Sequence, residues 1–86
     1  MNIDETTIKT LKISEIAQRV RRDWKRVYFG AEPYLGIMFL LDTLDDDYGA
    51  DSGREIVARF LCNATNWRGP VARLIKAELN RRLKIN

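Results

Sequence analysis

The sequence predicts an all-α fold, a four-helix bundle-like single domain preceded by a short N-terminal arm. Three observations carry this expectation. Apolar residues recur at helical spacing through most of the chain, Gly and Pro come together only around Gly30 to Pro33 and at Gly69-Pro70, and an acidic turn lies between those two points. Such punctuation separates four helical segments and leaves no repeat, low-complexity stretch or interdomain linker. The 86 residues, 45% apolar and 31% charged, have the balance of one globular domain rather than of a disordered chain. The expected division is an arm over residues 1–12 and a helical domain over 13–86.

In the arm, Ile8, Leu11 and Ile13 fit neither a strict period of two nor the stripe that follows, so the arm is either extended or the start of the first helix. From Ser14, a plausible N-cap, the first helix places Ile13, Ile16, Ala17, Val20, Trp24, Val27 and Tyr28 on one arc, and breaks near Phe29 and Gly30. Pro33 opens a second helix over Pro33 to Asp46, because a proline at the first helical position lacks only an N–H that has no partner there. Its residues Tyr34, Leu35, Ile37, Met38, Phe39, Leu40, Leu41 and Leu44 ring the whole circumference. A short bundle normally leaves one side of each helix in water, so this helix asks for extra cover, from the arm or from another chain.

Asp45 to Asp51 form the turn, and Ser52-Gly53-Arg54-Glu55 reads as a capping box, with Ser52 serving the Glu55 N–H and Glu55 reaching back. The third helix buries Ile56, Val57, Phe60, Leu61, Ala64 and Trp67. Gly69-Pro70 ends it and starts the fourth, whose apolar arc is Val71, Ala72, Leu74, Ile75, Leu79 and Leu83. Arg81, Arg82 and Lys84 in its last turns complement the helix dipole.

No catalytic site emerges from the residue types. The chain has no histidine and one cysteine, Cys62, which removes the usual general base near neutrality, an intrachain disulfide and any cysteine-cluster metal site. Asp45, Asp47 and Asp51 match the first, third and seventh positions of an EF-hand loop, but Gly49, Ala50 and Ile56 stand where a ligand, the glycine and the bidentate glutamate belong. Asp42, Asp45 and Asp46 as an acid/base pair, or Cys62 as a thiol nucleophile, would need a pocket that nothing in the sequence supplies. No cofactor or metal is expected. The longest apolar run, Ile37 to Leu41, is far short of the roughly 18 residues a membrane helix needs. Met1 to Thr7 is polar and acidic, unlike a secretory or transit segment, which makes a cytoplasmic protein the expectation.

Charge is where the sequence is informative about partners. The net charge of +3 conceals segregation: residues 42–55 hold six acids and one arginine, residues 56–86 seven bases and one acid, and residues 9–26 seven bases and two acids. Arg19, Arg22 and Arg26 on the first helix and Arg73, Lys76 and Arg81 on the fourth are candidate contacts for a partner or for phosphates. Asp42, Asp45, Asp46 and Asp47 form a candidate acidic contact patch, and Tyr34, Ile37, Phe39 and Leu40 a candidate apolar interface. Ile13 to Val20 begins like a helix-turn-helix but has Arg21 where the tight turn wants a small residue. The third and fourth helices, joined at Trp67 to Pro70, are a second candidate for that motif.

Tyr48-Gly49-Ala50-Asp51-Ser52-Gly53-Arg54, Phe60-Leu61, Asn63-Ala64, Trp67-Arg68-Gly69 and Ile75-Lys76-Ala77-Glu78-Leu79 together resemble a group of small uncharacterised all-helical bacterial proteins found in phages and other mobile elements. The resemblance spans about residues 13 to 84. It implies a genomic setting and an accessory role, binding host or phage machinery as an inhibitor of a defence system or a regulator, and carries no activity or site residue with it. The expectation from the residues is a non-enzymatic interaction module acting by protein-protein contacts, a homodimer with an unidentified further protein partner. The alternative is a nucleic-acid-binding regulator using the basic faces of the first and fourth helices.

Overall fold

The computed structural model describes residues 5–84, a helix-rich compact domain with five helices and a small two-stranded sheet rather than a plain four-helix bundle. Residues 1–4 of the expected arm, and residues 85 and 86, lie outside the described residues. The rest of the arm contains a single helical turn, α1 (Glu5–Ile8), followed by a loop held by the Thr10 N–H on the Thr7 carbonyl, 3.1 Å, and the Leu11 N–H on the Ile8 carbonyl, 3.2 Å. Ile8 is 1% exposed and packs on the core beside α5, so this segment is folded with the domain.

Helix α2 (Ile13–Asp23) is shorter than its apolar arc suggests, and Ser14 is not its N-cap. Lys12 takes that position, its N–H donating to Glu15 Oε1 at 2.8 Å. The next two N–H groups, free at any helix start, donate to the loop after α3: Ile13 to the Asp42 carbonyl at 2.9 Å and Ser14 to the Leu41 carbonyl at 2.8 Å. At the other end Trp24 is extended, with φ −91° and ψ 91°, and its indole turns into the core.

Helix α3 (Glu32–Met38) is half the expected length. The chain turns after Met38 instead of continuing to Asp46, and the Asp46 carboxylate accepts the N–H groups of Asp42 at 2.8 Å and Thr43 at 3.1 Å. Leu41 and Leu44 are buried from this turn, not from a helix. Helical spacing at 41 and 44 therefore reflects burial alone, and the carbonyls of 41 and 42 cap α2.

Strands β1 (Asp47–Tyr48) and β2 (Asp51–Ser52) replace the expected plain turn, pairing Asp47 with Ser52 and Tyr48 with Asp51. Gly49, at φ +62°, opens the two-residue connection, where a positive φ suits the twist of a tight hairpin. Ser52 then caps α4 (Gly53–Cys62), as expected, its hydroxyl accepting the Glu55 N–H at 3.1 Å. Gly53 is buried against the preceding loop, and its N–H reaches the Asp46 carbonyl at 2.7 Å.

Helix α4 ends at Cys62, because Asn63 folds back and its Nδ2 donates to the Arg59 carbonyl at 2.8 Å. Ala64 and Trp67 are buried from the loop 63–69, before α5 (Pro70–Lys84). That loop is longer than the three to four residues of a helix-turn-helix, so the second candidate for the motif lacks its tight turn. In the core, α3 packs chiefly on α4, α2 on α3 and α5, and α1 on α5. The Trp24 and Trp67 rings stack 5.7 Å apart, 11° from parallel, and Phe60 stands edge-on to both at 6.3 and 6.4 Å.

Candidate functional site

The outer side of α3 carries the most exposed large apolar residues of the described chain. Phe29 is 80% and Leu40 67% exposed, at the two ends of the helix. Between them Pro33 and Gly36 are exposed and Ile37 is half-buried. Pro33, Gly36 and Ile37 share one face of α3, and Phe29 and Leu40 lie in the turns before and after it. No charged residue stands among them. Tyr28 packs on Phe29 with ring centroids 4.8 Å apart, and lies over Gly30 beside the Asn63 amide, which holds the entry to α3 in place.

Of the four residues expected at an apolar interface, Leu40 alone is exposed. Phe39 lies under the Arg21 guanidinium, 5.8 Å from its ring centre, and Arg21 Nη1 donates to Glu32 at 2.9 Å, so this ring forms the α2 side of the same helix. Tyr34 is half-buried and hydrogen-bonded to Arg59. Phe29 was not among the four. Its neighbours Tyr28 and Gly30 were the available signal, since a break after an amphipathic helix puts the next aromatic outside the apolar arc.

The six candidate basic residues do not act as one set. Arg22, Arg26 and Arg73 are exposed, whereas Arg19 is half-buried with its Nε lacking a hydrogen-bond partner. Lys76 donates to the Trp67 carbonyl at 2.6 Å and lies 5.9 Å from that indole's centre. Burial, and then the positive charge of Arg68, hold its ammonium below the ordinary lysine range. Arg81 and Arg82 both grip Glu78, at 2.7 and 2.6 Å, and Glu78 is 5% exposed. The hydrogen bond from Arg81, ahead of the bond from Arg82, lowers the Glu78 pKa against the opposing effect of burial.

The acidic residues likewise have separate roles. Asp46 binds backbone N–H groups, which lower its pKa, first through Thr43 and then Asp42. Asp47 belongs to β1, and Asp45 stands 4.0 Å from Arg54 Nε. Because α3 stops at Met38, none of them sits at its C-terminal end, where the sequence had placed them. Among the described residues no three His, Cys, Asp or Glu side chains gather where they could hold a metal ion, and no helix is long and apolar enough to cross a membrane. Cys62 is exposed.

These features define a helix-rich compact domain with exposed apolar side chains at both ends of α3. No family model, no curated protein and no solved structure matches the chain.

Proposed function

We propose that this protein is a non-enzymatic interaction module that works by protein-protein contacts, and that the outer face of α3 is its interface, in the first instance with a second copy of itself. The observation that carries this reading is the uncharged strip of Phe29, Pro33, Gly36, Ile37 and Leu40, with Phe29 80% and Leu40 67% exposed. Large aromatic and aliphatic side chains in water at the two ends of a short helix form the kind of surface that interfaces bury at their centre. Gly36, with no atom within 4 Å of where a Cβ would stand, lets a partner backbone come close. An accessory role, which the resemblance to proteins of phages and mobile elements implies, and a cytoplasmic setting belong to the same proposal. Light scattering behind size exclusion tests the reading: a dimer is expected on the order of tens of micromolar, where mass action favours association. A monomer at that concentration removes it.

One observation favours a second reading, a nucleic-acid-binding regulator. Arg22, Lys25, Arg26 and Arg73 are exposed, and Arg68 adds to the burial that lowers the Lys76 pKa. Phosphates would relieve such crowding of positive charge. Binding to duplex DNA that falls steeply with salt, with a slope near −0.9 per neutralised phosphate, is the expected signature. Absence of binding at low salt ends this reading.

A further inference from the structure

The outer face of α3 lies between two lengths of chain of opposite charge. Residues 24–31, which lead into the helix, hold Lys25 and Arg26 and no acid, whereas residues 39–52, which lead away from it, hold Asp42, Asp45, Asp46, Asp47 and Asp51 and no base. Lys25, Arg26 and Asp42 are exposed, and none of them forms an ion pair with a described residue. At the basic end Arg21 and Glu32 pair with each other and Asp23 accepts the Trp67 Nε1–H, so nothing there offsets Lys25 and Arg26. At the acidic end Asp45 meets Arg54 only at 4.0 Å, with its side chain 88% exposed. Lys9, Lys12 and Arg54 line a cleft with Asp42 and Asp45, three cations against the five carboxylates of 39–52, so this end stays acidic; Arg82, on the same cleft, is held by Glu78. The bulk of the face is distributed too. Phe29 stands at the basic end and Leu40 at the acidic end, while Pro33 and Gly36 between them are small.

We propose that two copies of the chain join with their α3 helices antiparallel about a two-fold axis across the middle of α3, so that Lys25 and Arg26 of each copy meet Asp42 and Asp45 of the other. The proposal rests on the reading of α3 as a self-association face and assigns its register and the charged contacts that fix it. A two-fold axis requires one surface to complement itself. Set antiparallel, each end of the pair joins one Phe29 to one Leu40, so both ends are equally thick and Pro33 and Gly36 close the middle. Set parallel, Phe29 would meet Phe29 and Leu40 would meet Leu40, which splays the helices at one end. The parallel pair would also set the basic end on the basic end and the acidic end on the acidic end, and like charges brought together across an interface cost several kcal/mol. Charge likewise favours a second copy over an unrelated partner, because this one surface carries both halves of the match.

Sedimentation equilibrium on the full chain tests this by exchanging charges. Lys25→Glu with Arg26→Glu, and separately Asp42→Lys with Asp45→Lys, set like charges against each other at both ends of the antiparallel pair. Each double variant should associate about fivefold or more weakly than the wild type at about 0.05 M salt, and the difference should shrink at about 0.5 M, where screening shortens the reach of charge. Combining the four substitutions swaps the two signs, keeps the net charge, and should return association to within about twofold of the wild type. All four positions are exposed, so far-UV circular dichroism should show the same helix content throughout. Wild-type association in both double variants leaves self-association standing and overturns the antiparallel register. So does a combined variant as weak as either double. Loss of duplex DNA binding without loss of self-association in Lys25→Glu with Arg26→Glu also overturns it, and gives these cations to the nucleic-acid reading. A wild-type chain that stays monomeric removes the self-association reading itself, and this proposal with it.

Discussion

Two aromatic regions of this protein differ in what their rings face. Trp24, Phe60 and Trp67 come from the end of α2, from α4 and from the loop before α5, and each ring meets the other two. The one polar atom of the Trp67 ring is satisfied as well, Nε1 donating to Asp23 Oδ2 at 2.8 Å. Tyr28 and Phe29 touch each other and otherwise stand 41% and 80% exposed. The first region spends aromatic area on joining three elements that no local interaction connects. The second leaves most of Phe29 uncovered, and it is on this uncovered surface that the proposed interface rests.

The contrast breaks if the two regions respond alike to truncation. Trp67→Ala should cost about 3 to 5 kcal/mol of stability, the range for a large buried aromatic, and urea unfolding followed by far-UV circular dichroism reads it. Phe29→Ala should stay within about 0.5 kcal/mol in the same assay on dilute protein. Equal losses would mean that Phe29 packs in the monomer.

Gly53→Ala probes the backbone contact that sets α4 on the acidic loop. A Cβ there would lie 2.9 Å from both the Asp46 and the Leu44 carbonyl oxygens, so the backbone must shift. Overpacking of that kind costs about 1 to 3 kcal/mol. The equivalent change on the open side, Gly36→Ala, meets nothing within 4 Å and should be neutral or slightly stabilising in the helix.

Glu78 supplies a pH-dependent test. Its folded pKa lies below its unfolded value, so the stability it provides is complete above the ordinary glutamate pKa of about 4.3 and is lost as pH falls through the lower folded value. Glu78→Gln should cost about 1 to 3 kcal/mol near neutrality, by leaving Arg81 and Arg82 without their shared charged acceptor. It should also flatten the acid limb of the stability profile. An unchanged limb would place that dependence on Asp46 or Glu32, whose pKa values are lowered too.

Periodicity identified the core better than it identified the elements. Ile16, Ala17, Val20, Ile56, Val57, Phe60, Ile75 and Leu79 are buried as their spacing implied, and the Ser52 cap and the Pro70 start stand where expected. Helix ends were misread wherever a long-range contact ended them. Nothing local stops α2 at Asp23, but stacking on Trp67 draws Trp24 out of the helix. After α3 stops at Met38, the Asp46 carboxylate holds the turn through the Asp42 and Thr43 N–H groups, and the carbonyls of Leu41 and Asp42 reach the start of α2. For the same reason the strip on α3 was only half legible: an overlong helix counted Tyr34 and Phe39 as surplus and left Phe29 out. The pairing of Glu78 with Arg82 follows from ordinary helical spacing, whereas the Asp46 carboxylate on the Asp42 and Thr43 N–H groups and Lys76 on the Trp67 carbonyl depend on where the helices end.

The smallest effect on stability bears most on function. Phe29→Ser with Leu40→Ser replaces the two exposed ends of the α3 strip, where each side chain loses little contact within the monomer. The change in unfolding free energy at low concentration should lie within about 0.5 kcal/mol. At higher concentration the wild-type melting temperature should rise with protein concentration, because a dimer stabilises the folded state by mass action, and the variant's should not. Scanning calorimetry over a concentration series separates the outcomes. A rise that survives in the variant would move the interface off α3. Flat melting temperatures in both proteins would mean that the strip faces a different partner, or none.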